Sequence, residues 1–314
     1  MSALPVVLGL VFGAAVDELI GDPQRGHPVA GYGRVVTATE QRLYADDVLR
    51  GGWFVGVATV PLVAMSIAVE RSVRDRPMSR AVLVAAATWC VLGGTTLTRV
   101  GDQMAHLLAD GHIDAARELL PSLCGRDPDS LDVAGLTRAT VESIAENTAD
   151  AMVAPLVWGA LAGLPGLLAY RAVNTLDSMV GHRSARYAHF GTVAARLDDA
   201  VNLLPARLTA VLTLLAAPAV HGSASEGWTA WRRDARRHPS PNAGHCEASA
   251  AGVLGVRLGG VTVYGGRVET RPQLGSGREP AVADIARATR LSRTVQRLAV
   301  TVCVALAAVV RRGR

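Results

Sequence analysis

The sequence predicts an all-α fold, a polytopic integral membrane helical bundle with extended polar, Gly/Pro-rich loops. Three observations lead there. Half of the 314 residues are hydrophobic, and these are mostly Ala, Val and Leu with few aromatics. The apolar residues arrive in six blocks, at 4–16, 53–69, 81–97, 151–170, 208–220 and 298–310. Polar stretches separate the blocks. A bilayer-spanning helix takes roughly 20 mostly apolar residues, so 53–69, 81–97 and 151–170 come close to a full span and the other three are short. One membrane-embedded domain over 1–314 is expected.

Taken in order, block 4–16 has no basic residue ahead of it and is followed by Asp17 and Glu18. It lacks the charged n-region and small-residue cleavage site of a signal peptide, so it is expected to stay on the protein. The link 21–52 is polar and long, whereas 70–80 reads as a plain basic turn between two helices. Within 98–150, "GDQMAHLLADGHIDAARELLPSL" has the character of a helix hairpin, broken at Gly111 and stopped at Pro121. A further helix is expected to run through "TVESIAENTADAMVAPLVW" and across Pro155 into block 151–170, where Pro155 and Pro165 should kink or break it. The stretch 221–297 starts helical, "EGWTAWRRDARRH", and then becomes a Gly/Pro-rich loop. Polar connections this long are commonly functional.

The net charge is +5, and all 32 basic side chains are arginine. The absence of lysine excludes a Walker-type phosphate loop and Schiff-base chemistry on the protein. Any phosphate must be held by arginine forks, backbone amides, helix N-termini or a metal. Twelve arginines fall in 221–297 and three more in 311–314, which marks the long loop as a candidate for the cytoplasmic side. No aromatic-rich basic stripe accompanies them, so no nucleic-acid partner is expected. The four cysteines, Cys90, Cys124, Cys246 and Cys303, show no paired spacing. His238, His245 and Cys246 form a zinc-like cluster that no second pair completes.

The heaviest concentration of chemistry lies at 140–158. At 100° per residue Glu142, Glu146 and Asp150 share one helical stripe, with Ser143 and Asn147 beside it and Val141, Ile144 and Thr148 pointing away. Like charges at this spacing repel, so an arginine, Mg²⁺ or both should compensate them. A solvated acidic face is the plain alternative. Three other stretches carry related residues. "YRAVNTLDSMVGHRSARYAHFG" holds Asn174, Asp177, His182, Arg183, Arg186 and Tyr187. "RLDDAVNLLPARLTA" adds Asp198, Asp199, Asn202 and Arg207, and "VDELIGDPQRGHPV" adds Asp17, Asp22 and His27. Singly, these suit caps, turns and helix pairing; together they suit a site for a charged, phosphate-bearing substrate.

The run from "RATVESIAENTADAMVAPLVW" through "YRAVNTLDSMVGHRSARYAHFGTVAARLDDAVNLLPARLTA" resembles the cobalamin-biosynthesis family CobD/CbiB. "GDPQRGHPV", "DARRHPSPNAGHCEASAAGVLGVRLGG" and "YGG" resemble it too, in order along nearly the whole chain. The resemblance implies a multi-pass enzyme of the cell membrane that joins adenosylcobyric acid to (R)-1-amino-2-propanol O-phosphate, or to free aminopropanol. ATP and Mg²⁺ are implied cofactors, the corrinoid is a substrate, and other membrane-associated corrin enzymes are possible partners beside the lipid bilayer. Catalytic candidates are Glu142, Glu146, Asn147, Asp150, Asp177 and His182. For substrate and phosphate the candidates are Asn174, Arg183, Arg186, Tyr187, Arg236, Arg237, His238, Ser240, Asn242, Tyr264 and the glycines 259, 260, 265 and 266. Mg²⁺ would fall to Glu142, Glu146, Asp150, Asp198 and Asp199. If every block spans, 171–200 faces away from 98–150 and 221–297, so either 151–170 is re-entrant or the polar motifs lie inside the bundle. A transporter for corrinoids, or a membrane anchor for other corrin enzymes, is the competing expectation.

Overall fold

A computed structural model describes residues 3–22, 26–182, 184–264 and 267–312. In chain order the helices are α1 (Leu4–Ile20), α2 (Pro28–Leu43), α3 (Val48–Ser72), α4 (Pro77–Val91), α5 (Gly94–Ala109), α6 (Ile113–Leu119) and α7 (Val133–Thr148). They continue as α8 (Ala154–Ala162), α9 (Leu164–Leu176), α10 (Thr192–Leu215), α11 (Ala224–Asp234) and α12 (Ala243–Leu254), and end with α13 (Val282–Arg312). The strands β1 (Leu258–Tyr264) and β2 (Arg267–Leu274) form an antiparallel pair between α12 and α13. The fold is all-α, as expected, with this one small sheet among the described residues.

Among the described residues, three stretches are long and apolar enough to cross a membrane: Val48–Ser72, Pro77–Ala109 and Val282–Arg311. They contain the blocks 53–69, 81–97 and 298–310. Block 4–16 lies in α1, which at 17 residues is short for a span, and 208–220 is the end of the more polar α10. Block 151–170 is not one helix. After α7 the helical turn widens to a π-turn at Ala149–Val153, just ahead of Pro155. Proline has no N–H to close an ordinary turn, and a widened turn lets the preceding carbonyls find other partners. α8 then stops at Gly163, whose φ of +70° suits glycine, and Pro165 sits in the first turn of α9, where its missing N–H costs nothing. The chain folds back there. A Cβ on Gly166 would lie 2.1 Å from the carbonyl oxygen of Trp158, a residue that in a straight helix would be about 12 Å away.

By internal contacts the chain forms two compact units, each assembled from separate segments. The first comprises Met1–Gly93, Ala154–Asn202 and Val300–Arg314. In it α1 and α4 pack so closely that Gly9 and Gly13 meet Val84 and Thr88 with no room for a side chain. The indole N–H of Trp89 donates to the carbonyl of Gly21 at 2.8 Å, and buried Arg80 donates to Glu70 at 2.6 Å. Phe54, Phe190 and Tyr44 make an aromatic core beside α2 and α3.

The second unit comprises Gly94–Val153 and Leu203–Ala299. Here the hairpin expected in 98–150 is present, with Gly111 at φ +77° between α5 and α6 and Pro121 in a 3₁₀ turn. The stretch 221–297 is not a loop: it folds into α11, α12, the β-hairpin and the start of α13. α12 is buried along its whole length apart from His245, because its Ala, Gly and Ser residues let neighbouring backbones approach. The strands carry a legible pattern, "VTVY" and "RVET" joined by two glycines, a hairpin signature hidden by the glycine content.

Candidate active site

α7 brings the expected acids onto the inside of the second unit. Asp132 caps the helix by accepting the N–H of Gly135 at 2.8 Å, and the apolar face carrying Val141, Ile144 and Thr148 is buried. Glu142, on the other face, is buried at 2% exposure. It forms an ion pair with Arg126, itself 5% exposed, and its second oxygen accepts the N–H of Gly259 at 2.6 Å. The compensating cation expected for the stripe is therefore an arginine.

Ser143 and Asn147 anchor the segment that holds Arg126. Ser143 donates to the carbonyl of Leu123 at 2.7 Å, and the Asn147 amide donates to the same carbonyl and to the Ser143 hydroxyl. Glu146 is half-buried one turn beyond Glu142. Burial raises its carboxyl above the ordinary range, against the pull of Arg271 and Arg126. Asp150 lies in the π-turn, close enough to Cys246 to help burial raise that thiol.

α12 contributes Glu247, a residue the sequence reading passed over. It is 1% exposed, and burial, followed by the nearby Glu142 and Glu146, pushes its carboxyl well above the ordinary range. Opposite it stands His238, 8% exposed, with Nε2 3.7 Å from Glu247 Oε1. Among the described residues neither of these two atoms has a hydrogen-bond partner. The turn "HPSPN" fixes the imidazole: the N–H of Ser240 donates to His238 Nδ1 at 3.0 Å, and Ser240 Oγ in turn accepts the N–H groups of Asn242 and Ala243 at the start of α12. Since Nδ1 accepts, a neutral ring carries its proton on Nε2. Burial, aided by Arg271, lowers the His238 pKa to about 4, so the ring is neutral at pH 7. Asn242 also receives a hydrogen bond from Arg207 at 3.2 Å.

Beside this cluster lies a cleft of about 640 Å³. Its wall includes Arg138 of α7, Arg237, Arg257 and Arg271, against one acid, Glu279. Gly259 belongs to both places, since it lines the cleft with Gly260 while its N–H holds Glu142. Gly259 needs its positive φ of +82°, and a Cβ there would strike the carbonyl of Pro272 at 2.1 Å. The pairing is irregular at this point, a bulge that turns the N–H inward. Of the expected phosphate ligands, Arg237 lines the cleft, while Arg236 is exposed on the 3₁₀ turn after α11. Arg138, Arg257 and Arg271 were not foreseen, because isolated arginines in polar stretches carry no pattern. Arg183, Gly265 and Gly266 lie outside the described residues, as does the side chain of Tyr264 at the end of β1.

The remaining candidates belong to the first unit. Asp198 accepts from Asn202 at 2.9 Å and from Asn174 at 3.4 Å, and Tyr170 donates to Asn202. Asp177 lies over Gly181 in a π-turn, and Asp199 is half-buried on α10. Arg186 and Tyr187 both donate to buried Glu40, at 3.0 and 2.8 Å. The guanidinium of Arg186 also stacks on Tyr44, and His182 packs edge-on against Tyr187. Glu40 was missed, since a lone acid in an amphipathic helix reads as surface.

These features define an α-helical membrane protein with a folded polar unit in which ionised residues are buried. The chain belongs to the CobD/CbiB family of cobalamin biosynthesis, whose model, described as CobD/Cbib protein, matches residues 10–292. It is 52% identical over 300 residues to the cobalamin biosynthesis protein CobD of Mycobacterium tuberculosis, covering 95% of each chain. The protein of the same name from Chromobacterium violaceum is 40% identical over 297 residues, covering 92% of this chain and 90% of the relative. No solved structure matches the chain.

Proposed function

We propose that this chain is an adenosylcobinamide-phosphate synthase of the cell membrane. It joins the carboxylate of adenosylcobyric acid to the amine of (R)-1-amino-2-propanol O-phosphate, or of free aminopropanol, at the expense of ATP. The observation that carries this reading is the four-arginine cleft set against a buried carboxylate cluster. In a chain without lysine, arginine forks are the means of gripping phosphate, and four of them facing one acid suit a polyanion. A carboxylate does not react with an amine at neutral pH, and ATP supplies the phosphoryl group that turns its oxygen into a leaving group.

The residues do not form a protein cage for Mg²⁺. Among those described, no three His, Cys, Asp or Glu side chains come together as ligands, and Glu142 is committed to Arg126 and Gly259. Mg²⁺ usually binds through one or two carboxylates plus substrate phosphates and keeps several waters, so in this reading it comes with the nucleotide, and Glu146 and Asp150 of this unit are the carboxylates that would meet it. Further partners in this reading are the lipid bilayer and other membrane-associated corrin enzymes.

The test is incubation of the detergent-solubilised protein with adenosylcobyric acid, the amine, ATP and Mg²⁺, followed by mass spectrometry. An amide-linked product that requires ATP is expected. Its absence from folded protein would remove the synthase reading and favour transport or anchoring.

A further inference from the structure

Glu247 Oε1 and His238 Nε2 face each other at 3.7 Å, both more than nine-tenths buried and neither hydrogen-bonded among the described residues. The gap is too long for a hydrogen bond. Buried polar atoms are almost always paired, and two opposed orphans mark a place where something else binds. Their polarity is complementary: the carboxylate accepts, and the imidazole, with Nδ1 accepting from Ser240, offers Nε2–H. A forming amide presents the matching pair, an amine N–H to donate and a carbonyl oxygen to accept.

Around this pair are Glu142 and Glu146 of α7, Cys246 of α12, Arg126 and Arg271. Three carboxyl groups, Glu142, Glu146 and Glu247, gather here with two guanidiniums, a setting in which an arriving cation finds acceptors. We infer that Glu247 and His238 form the amine subsite of this unit, with Glu247 taking the proton of the substrate ammonium and His238 donating to the acyl oxygen. This deepens the synthase reading and rests on it. Glu247 takes one proton from the ammonium; as the freed amine nitrogen bonds to the acyl carbon, the acyl C–O bond breaks, its electron pair leaves with phosphate, and the second proton displaced from nitrogen leaves on that phosphate. Glu247 is ready for this because arrival of the ammonium supplies the charge that lets the enclosed carboxyl ionise, its own proton passing to water.

The experiment compares full-length solubilised wild type, Glu247→Gln and Glu247→Asp at about pH 7, with adenosylcobyric acid, ATP and Mg²⁺. Each is given either aminopropanol phosphate, which arrives as an ammonium, or hydroxylamine, which is already neutral. Glu247→Gln should lose about 10²-fold or more in amide formation yet keep ATP-dependent hydroxamate formation, and Glu247→Asp should recover part of the amide rate. Equal loss of both products, or loss of neither, would overturn the assignment. A wild type that makes neither product would overturn the synthase reading and this subsite with it.

Discussion

Arg126 and Glu142 show how the site is held at the level of single residues. A buried ion pair adds little net stability, but removing one partner leaves the other charge stranded, which costs about 3–5 kcal/mol. Arg126→Ala should destabilise the solubilised protein by that order, read as a lowered thermal unfolding temperature, and the double variant Arg126→Ala with Glu142→Ala should recover part of it. An additive double variant would show that the pair is not coupled. The titrating pair makes a second prediction. Below its ordinary pKa of 6.5 an unfolded histidine takes up a proton, while folded His238 resists until about 4. Stability is therefore lost as pH falls through that window, by about 3 kcal/mol in all. Glu247 acts in the opposite sense: its raised pKa means stability is lost as pH rises above about 4.5, the unfolded value. His238→Gln should flatten the acid limb of a melting-temperature profile. Glu247→Gln should raise the melting temperature at pH 7 even as it loses activity, and a lowered one would contradict its burial as an enclosed acid. The acidic stripe of α7 was legible, because 3.6-residue periodicity places 142, 146 and 150 together. Glu247 was not, although one acid inside "HCEASAAGVL" is a signal of its own: a lone carboxyl in a helix of mostly small, apolar residues must be paired or functional.

At the scale of elements, the glycines mark where backbones meet. Gly259→Ala places a methyl group 2.1 Å from the carbonyl of Pro272 and in a conformation that L-residues avoid. It should cost about 2 kcal/mol or more and displace the N–H that holds Glu142. Chemical denaturation of the solubilised variant measures this, and wild-type stability would contradict the bulge. Gly166→Ala is expected to open the fold-back of α8 and α9 by pressing on the carbonyl of Trp158. The prolines of 151–170 announced a break, but its position at Gly163 depends on a positive φ that composition alone does not specify. The stretch 221–297 was misread because Gly and Pro density is shared by loops and by closely packed small-residue helices. α12 is the latter, and only tertiary contact distinguishes them.

For the whole molecule, the all-α membrane character was legible from run length, while the division into two compact units was not, since each is assembled from segments distant in sequence. Local patterns report faces and periods and are silent on which segments meet. The three stretches of spanning length among the described residues predict that the protein stays with the membrane fraction through high salt and alkaline carbonate and is released by detergent. Release by carbonate alone would contradict the membrane assignment. The central claim, that phosphate-bearing substrate is gripped in the arginine cleft to drive amide formation, is tested most directly by the ligation rate as a function of ATP concentration. Wild type is to be compared with the double variant Arg138→Gln and Arg257→Gln. The account predicts an ATP-dependent amide product in the wild type and a KM for ATP raised about 10-fold or more in the variant. A wild-type product formed without ATP, or an unchanged KM in the variant, would contradict it.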